Sequence, residues 1–204
     1  PKRAIILAAG FGMRMVPINT EVSKGLLEVN GETLIERLIK QLQEVDIKEI
    51  YIIVGFMKEQ YEYLIDEYEV ELVVNKEYAS KNNLHSLKLV ADRLENAYVI
   101  PCRKMELVST PGNVGGNSMV GICYLVKKDA NVVKERIETL CQNRKYDNSF
   151  WEKALYNKNK MIVDARVVHA TDVVEINTYE QLRELDSASN QLKTDAIEVI
   201  CKNF

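Results

Sequence analysis

Hydrophobic positions along the chain alternate between unbroken apolar runs and runs spaced by three and four residues, which predicts a succession of buried strands and amphipathic helices. Ala4 to Leu7 is a short apolar run that continues into Ala8-Ala9-Gly10-Phe11-Gly12-Met13-Arg14, a strand emptying into a glycine-bearing loop. Leu26 to Val29 is predicted as a short strand, Asn30-Gly31 as a tight turn, and Thr33-Leu34-Ile35-Glu36 as the capping box that opens a helix. That helix carries Leu34, Ile35, Leu38, Ile39, Leu42 and Val45 at helical spacing. Ile50 to Val54 reads as a buried strand ending at Gly55-Phe56. A second helix, with Tyr61, Leu64, Ile65 and Tyr68 on one face, then leads to a strand from Val70 to Val74.

Leu84, Leu87, Val90, Ala91 and Leu94 mark a third helix, and Tyr98 to Cys102 is expected as the central strand. Strands are predicted at Lys104 to Ser109 and Ser118 to Val126, joined by a flexible connection from Pro111 to Gly116. A helix burying Val133, Ile137, Leu140 and Cys141 follows, then a strand from Met161 to His169. A last helix begins at Asn190 with Leu192, Ala196, Val199 and Ile200 on one face. The order strand, loop, helix, strand, helix, strand predicts an α/β fold with a mostly parallel sheet and right-handed crossovers. Ligands of such a sheet sit beyond the carboxyl ends of the strands.

The length of 204 residues and the 47% hydrophobic content suffice for one α/β domain with a full core. A net charge of −3 with dispersed basic residues disfavours a nucleic-acid surface and points to a small-molecule partner. Cys102, Cys123, Cys141 and Cys201 form no C-x-x-C pair and have no histidine at metal spacing. Reduced thiols in a cytoplasmic protein, without structural zinc, are expected. No apolar run reaches the length of a signal segment or membrane span, so the expectation is a soluble protein with no membrane partner.

The candidate chemistry begins at the first loop. Gly10 and Gly12 would let backbone N–H groups approach anionic oxygens, Arg14 and Lys24 would supply positive charge, and Ala8 and Ala9 leave room for a base or ribose. A bare G-x-G also marks ordinary turns, and this spacing matches neither the Rossmann nor the Walker loop. Its run L-A-A-G-F-G-M-R, with Lys24 downstream, resembles the L-A-A-G-x-G-[ST]-R signature of the nucleotidyltransferases that make NDP-sugars and CDP-alcohols. Within them it looks most like the bacterial CTP:phosphocholine cytidylyltransferase family. Two positions depart from that pattern: Met13 replaces Ser or Thr, and Ser23 stands where proline usually precedes the lysine.

The resemblance covers nearly the whole chain. It implies a Rossmann-like three-layer nucleotidyltransferase fold, with a mixed, mostly parallel central sheet flanked by helices, over residues 1–186. Residues 187–204 would then be a C-terminal helix leading toward a further module, such as the choline kinase to which related enzymes are fused. The implied reaction transfers CMP from CTP to phosphocholine, giving CDP-choline and pyrophosphate, with Mg2+ as cofactor and no covalent intermediate. Arg14 and Lys24 would be the catalytic charges. Leu7, Ala8, Ala9, Gly10, Phe11, Gly12, Gly55, Asn82, Asn83 and Ser86 would join them around the nucleotide. The same chemistry on a sugar 1-phosphate or 2-aminoethylphosphonate is the alternative.

Three stretches carry two readings each. Asn82 or Asn83 is a helix cap by residue type. The family's N-x-x-Y-x-x-x-N-N-x-x-S-L segment implies instead that these amides and Ser86 read a pyrimidine edge. Trp151, the only tryptophan, is a core residue by type. The family's aromatic-Trp-acid segment, matched by Phe150-Trp151-Glu152, implies a wall of a choline pocket, since an aromatic face beside a carboxylate suits a quaternary ammonium. Glu152 or Asp147 would supply the charge and Tyr124 or Tyr179 a second wall. Finally, the resemblance places a magnesium-binding aspartate directly after Cys102, where Arg103 stands, and a second ligand at Asn177, in Glu175-Ile176-Asn177. Either a segment is absent from this sequence between Cys102 and Arg103, the reading taken here, or the domain has lost its metal ligand and binds without catalysing. His85 is expected as a packed or surface histidine, and Thr178 with Gln181 as a second capping box.

Overall fold

The structure, a computed structural model, describes residues 1–11, 21–101, 121–156, 161–162, 164–169, 171–174, 176 and 178–187. In chain order its elements are β1 (Arg3–Leu7), β2 (Glu28–Val29), β3 (Glu32–Thr33), α1 (Leu34–Glu44), β4 (Glu49–Val54), α2 (Tyr63–Tyr68) and β5 (Glu71–Val74). They continue with α3 (Asn83–Lys88), β6 (Ala97–Pro101), β7 (Cys123–Leu125), α4 (Lys127–Cys141), α5 (Lys153–Tyr156) and α6 (Tyr179–Ser187).

The main sheet has the order β5-β4-β1-β6-β7, and only β7 runs antiparallel to its neighbour. The apolar run of β1 is therefore the middle strand, with Ala4 beside Ile50 and Tyr98 and Leu7 beside Ile53 and Pro101. Continuous hydrophobicity is what a strand covered on both faces requires. Ile5, Leu7, Tyr51, Ile53, Ala97, Val99 and Leu125 pack on one side with residues of α3, α4 and α5. Ala4, Ile6, Ile50, Ile52, Val54, Tyr98 and Ile100 pack on the other with residues of α1 and α2. The result is the expected three-layer α/β fold. Among the described residues no helix is long and apolar enough to cross a membrane.

Local signals explain the first hairpin. Asn30 and Gly31 both have positive φ (57° and 80°), the backbone of a two-residue turn whose twist matches paired strands. At Thr33 the capping box is complete: its hydroxyl accepts from the Glu36 N–H, and the Glu36 carboxylate accepts from the Thr33 N–H, each at 3.2 Å. The hairpin and the preceding loop support a smaller cluster of Leu27, Ile176 and Leu182, which docks α6; Asp186 also accepts the Asn30 N–H at 3.0 Å.

Five expectations are corrected. Leu26 to Val29 is not one strand: Lys24–Leu26 is a 3-10 turn, and only Glu28–Val29 pairs, because the Leu26 N–H is turned back onto the Ser23 carbonyl at 2.9 Å. Of the strand expected over Tyr98 to Cys102, the described part belongs to β6 (Ala97–Pro101), interior but beside the centre rather than at it. Ile65 leaves the buried face, 44% exposed, because a 3-10 turn at Lys58–Tyr61 shifts the helical phase so that Tyr61 and Leu64 point inward. Within Ser118 to Val126 the described strand is only Cys123–Leu125. Among the described residues of the stretch Met161 to His169 there is no strand, and Ile162 and Val167 stand 94% and 83% exposed. The features expected at Lys104 to Ser109, Pro111 to Gly116 and from Asn190 onward lie outside the described residues.

Candidate active site

The middle strand delivers its loop to the carboxyl edge of the sheet, between β4 and β6. The Ala8 N–H continues the ladder to the Ile53 carbonyl (2.9 Å), and the Ala9 carbonyl accepts the Phe56 N–H (3.2 Å). Both alanines are buried, so the chain is pinned as far as Ala9 and emerges at the exposed Gly10. Gly10 and Gly55 are glycines for different reasons. A Cβ on Gly10 would meet nothing within 4 Å among the described residues. A Cβ on Gly55 would lie 2.6 Å from the Tyr78 Cβ and 3.0 Å from the Ala9 carbonyl oxygen, so three segments close around that position only because it lacks a side chain.

A row of rings extends from there. Phe11 meets Phe56 edge to face at 4.3 Å between centroids, and Phe56 meets Tyr78 at 6.4 Å. Of these, only Phe11 was legible as a site residue; Phe56 and Tyr78 belong to segments that the sequence sets far from it, and the G-F dipeptide after β4 was the available signal.

The backbone on either side of Lys24 is set by Gln60, which the sequence did not single out, and by Tyr61. Gln60 accepts the Ser23 N–H at 2.9 Å and donates to the Glu21 carbonyl at 2.7 Å, gripping the chain on the near side of the lysine. Ser23 Oγ lies 2.5 Å from the Tyr61 hydroxyl. A Cβ on Gly25 would sit 2.8 Å from that same hydroxyl oxygen. Lys24 thus sits between two residues locked onto the 3-10 turn, and Ile176 returns the chain to the same neighbourhood through Leu27 and Val22.

The asparagine segment does three jobs. Asn82 is the N-cap of α3, its Oδ1 accepting the Asn83 N–H at 2.8 Å. Asn75, buried at the end of β5, donates from Nδ2 to Ser86 Oγ (2.9 Å) and accepts the Glu77 N–H (2.9 Å). Ser86 is 3% exposed, so its hydroxyl ties α3 to the sheet in this structure. Asn83 Oδ1 accepts the Trp151 N–H at 2.7 Å. His85 is the expected packed histidine, 5% exposed, with Nε2 at 3.6 Å from Asp147 Oδ1. Burial, followed by the nearby Lys81 charge, pushes its pKa below the ordinary imidazole value, against the pull of Asp147 and Glu77.

Trp151 is fully buried in the α3–α4–α5 face of the core, and its Nε1 has no hydrogen-bond partner among the described residues. Tyr124 stacks with Tyr98 at 4.6 Å on the opposite face of the sheet. Its hydroxyl reaches Asn96, and Lys2 lies 5.8 Å from its ring, so it points to the amino end of the parallel strands. Trp151 and Tyr124 therefore cannot be two walls of one pocket, a correction that follows from strand parity. Glu152 is 3% exposed and sits near Cys123, whose thiol burial, Asp129 and Glu152 push up to about 11. Phe150 and Tyr156, on either side of Glu152 in the chain, are 41% and 42% exposed. Tyr179 opens α6, and its side chain lies outside the description, as do Gly12, Arg14, Asn177 and the position after Cys102. No three His, Cys, Asp or Glu side chains among the described residues are grouped to hold a metal.

The mostly parallel sheet whose middle strand ends in L-A-A-G is of the kind found in a solved nucleotidyltransferase. Residues 4–102 match the family model of the MobA-like NTP transferase domain. It is 50% identical over 98 residues to choline-phosphate cytidylyltransferase of Streptococcus pneumoniae, covering 48% of this chain and 43% of that one. To 2-aminoethylphosphonate cytidylyltransferase of Lancefieldella rimae it is 37% identical over 126 residues, 61% of this chain and 51% of the relative. The chain spans about half the length of these curated relatives. In three dimensions the likeness runs further. The solved structure of CTP:phosphocholine cytidylyltransferase from Streptococcus pneumoniae superposes with a TM-score of 0.74 at 26% identity, over 91% of this chain and 98% of that one.

Proposed function

We propose that the domain transfers CMP from CTP to phosphocholine, releasing pyrophosphate and forming CDP-choline. The observation that carries this reading is the carboxyl edge of β1. There Ala8-Ala9 is pinned and Gly10 stands exposed, in a chain that is 50% identical over 98 residues to a choline-phosphate cytidylyltransferase. A phosphate oxygen of the acceptor attacks the α-phosphorus of CTP in line, the bond to the β-phosphate oxygen breaks, and pyrophosphate leaves with that electron pair. No protein nucleophile is involved. Lys24, with Arg14, neutralises charge that builds on the phosphates, and the fixed loop supplies positioning. The Phe11–Phe56–Tyr78 row offers the base a flat apolar neighbour. For the acceptor, Glu152 and Asp147 supply negative charge and the part-exposed Phe150 and Tyr156 aromatic surface, while Trp151 anchors their segment in the core.

The test is direct: incubation with CTP and phosphocholine, followed by phosphorus NMR for CDP-choline and by pyrophosphate release. CDP-choline formation supports the reading; nucleotide consumption only with another acceptor overturns it. A second reading has its own observation, since the relative named for 2-aminoethylphosphonate aligns over more of this chain than the choline-phosphate enzyme does. Parallel reactions with 2-aminoethylphosphonate and phosphocholine decide between a primary and a quaternary ammonium. Repeating the assay with EDTA and then added Mg2+ tests the cation, which rests on the resemblance alone.

A further inference from the structure

Residues 147–151 are laced to the first turn of α3. The Asn82 N–H donates to the Asp147 carbonyl at 2.7 Å and the Leu84 N–H to the Ser149 carbonyl at 3.4 Å. Asn82 Nδ2 donates to the Asn148 carbonyl at 3.4 Å, and the Trp151 N–H donates to Asn83 Oδ1 at 2.7 Å. Asn83 is thus the side chain that supplies an acceptor to this seam, and it does so at the residue that opens Trp151-Glu152. The same short helix is tied to the nucleotide edge from its other side. Ser86 receives the Asn75 amide, and the Asn75 N–H is held by the carbonyl of Val54, the residue before Gly55. A chain of direct contacts therefore runs from Gly55, against which Tyr78 and Ala9 close, through Asn75 and α3 to Asn83 and Trp151.

We propose that Asn83 is a positioning residue for the acceptor rather than a reader of the base: its Oδ1 seats the Trp151 backbone and couples the acceptor segment to the nucleotide edge. The proposal rests on the function assigned above. A base reader needs its amide oxygen and nitrogen turned toward the ring edge, whereas this oxygen is committed to a backbone N–H. The arrangement makes occupancy of the nucleotide edge felt at residues 147–152, since Asn75, held by the Val54 carbonyl, is bonded directly to Ser86 of α3.

The test measures CTP affinity by calorimetry and KM for phosphocholine in wild type, Asn83→Ala and Asn83→Asp, the last retaining an acceptor oxygen. Loss of the one hydrogen bond in Asn83→Ala should raise the phosphocholine KM roughly three- to tenfold and leave CTP affinity within about twofold, with Asn83→Asp closer to wild type. A loss of CTP affinity equal to or larger than the KM change overturns the proposal, as does an unchanged KM. Hydrogen exchange on the wild-type protein gives an arm that needs no variant. CTP alone should slow exchange at the amides of residues 149 and 151, and an unchanged rate there refutes the coupling. If wild type makes no CDP-choline, the function fails on its own, while the exchange arm still decides whether the two segments are coupled.

Discussion

Gly55→Ala and Gly10→Ala add the same methyl group at the same edge of the sheet and should behave differently. At Gly55 the new Cβ would lie 2.6 Å from the Tyr78 Cβ and 2.7 Å from its Cγ. That is about 1 Å inside the optimum carbon separation of about 3.5 Å or more. Neither atom is the free end of a flexible chain, so rotating a side chain does not relieve the contact. The third neighbour, the Ala9 carbonyl oxygen at 3.0 Å, already accepts the Phe56 N–H. Relief therefore requires the segment around Tyr78 to move away from β4, or Ala9 and Phe56 to separate. Overpacking of this kind costs about 1–3 kcal/mol, which for a chain of this size lowers Tm by roughly 2–12 °C. A displacement of about 1 Å beside the nucleotide is expected to reduce turnover by one to two orders of magnitude. In Gly10→Ala the methyl meets no atom of the described residues, so stability should stay within about 0.5 kcal/mol of wild type while CTP affinity falls. Differential scanning calorimetry and CTP titration on both variants provide the comparison. An unchanged Tm in Gly55→Ala refutes the steric argument, and unchanged CTP affinity in Gly10→Ala removes the nucleotide from the space above β1.

Gln60→Ala removes two bonds that grip residues 21–23, at about 1 kcal/mol each, on a surface turn. Turnover should fall at least about tenfold through misplacement of Lys24 while Tm moves by a few degrees, and steady-state kinetics beside a melting curve would show whether the two separate. His85 gives a pH dependence whose sign follows from its lowered pKa. Above the ordinary imidazole value both folded and unfolded states are neutral there; below it the unfolded chain takes up a proton that the buried ring resists, so stability declines as pH falls toward the folded pKa. Urea midpoints at about pH 7.5 and about pH 5.5 should differ less in His85→Gln than in wild type; an equal difference would assign the acid loss to other groups.

What could be read from the residues alone divides along a physical line. Features made by neighbours in sequence were legible: the apolar runs of strands β1 and β4, the Asn30-Gly31 turn and the Thr33–Glu36 capping box. So was the second box at Thr178, whose N–H and hydroxyl exchange bonds with Gln181 at 3.2 Å and 3.3 Å. Each is a local contest between backbone groups and the side chains a few residues away, and the winner is encoded in place. Strand pairing is different, because Met161 to His169 has strand-like composition but no partner that its own residues can specify, and Ile162 and Val167 end up in water. Side-chain allegiance is different again. The acceptor that suits Asn83 Oδ1 for a cytosine amino group suits it equally for an N–H 68 residues away, and only the folded chain shows which donor arrived. Tyr124 and Trp151 make the same point through parity. Both are aromatic and both suit a cation, yet Tyr124 pairs in register with Tyr98 and faces α1, while Trp151 lies under α3 and α4. A resemblance carries residue types to matching positions, but a pocket is made by side chains that share a face of the sheet. Hence the loop after β1, whose position depends on backbone direction at a strand end, could be placed from the sequence, and the surroundings of Trp151 and Tyr124, which depend on distant packing, could not.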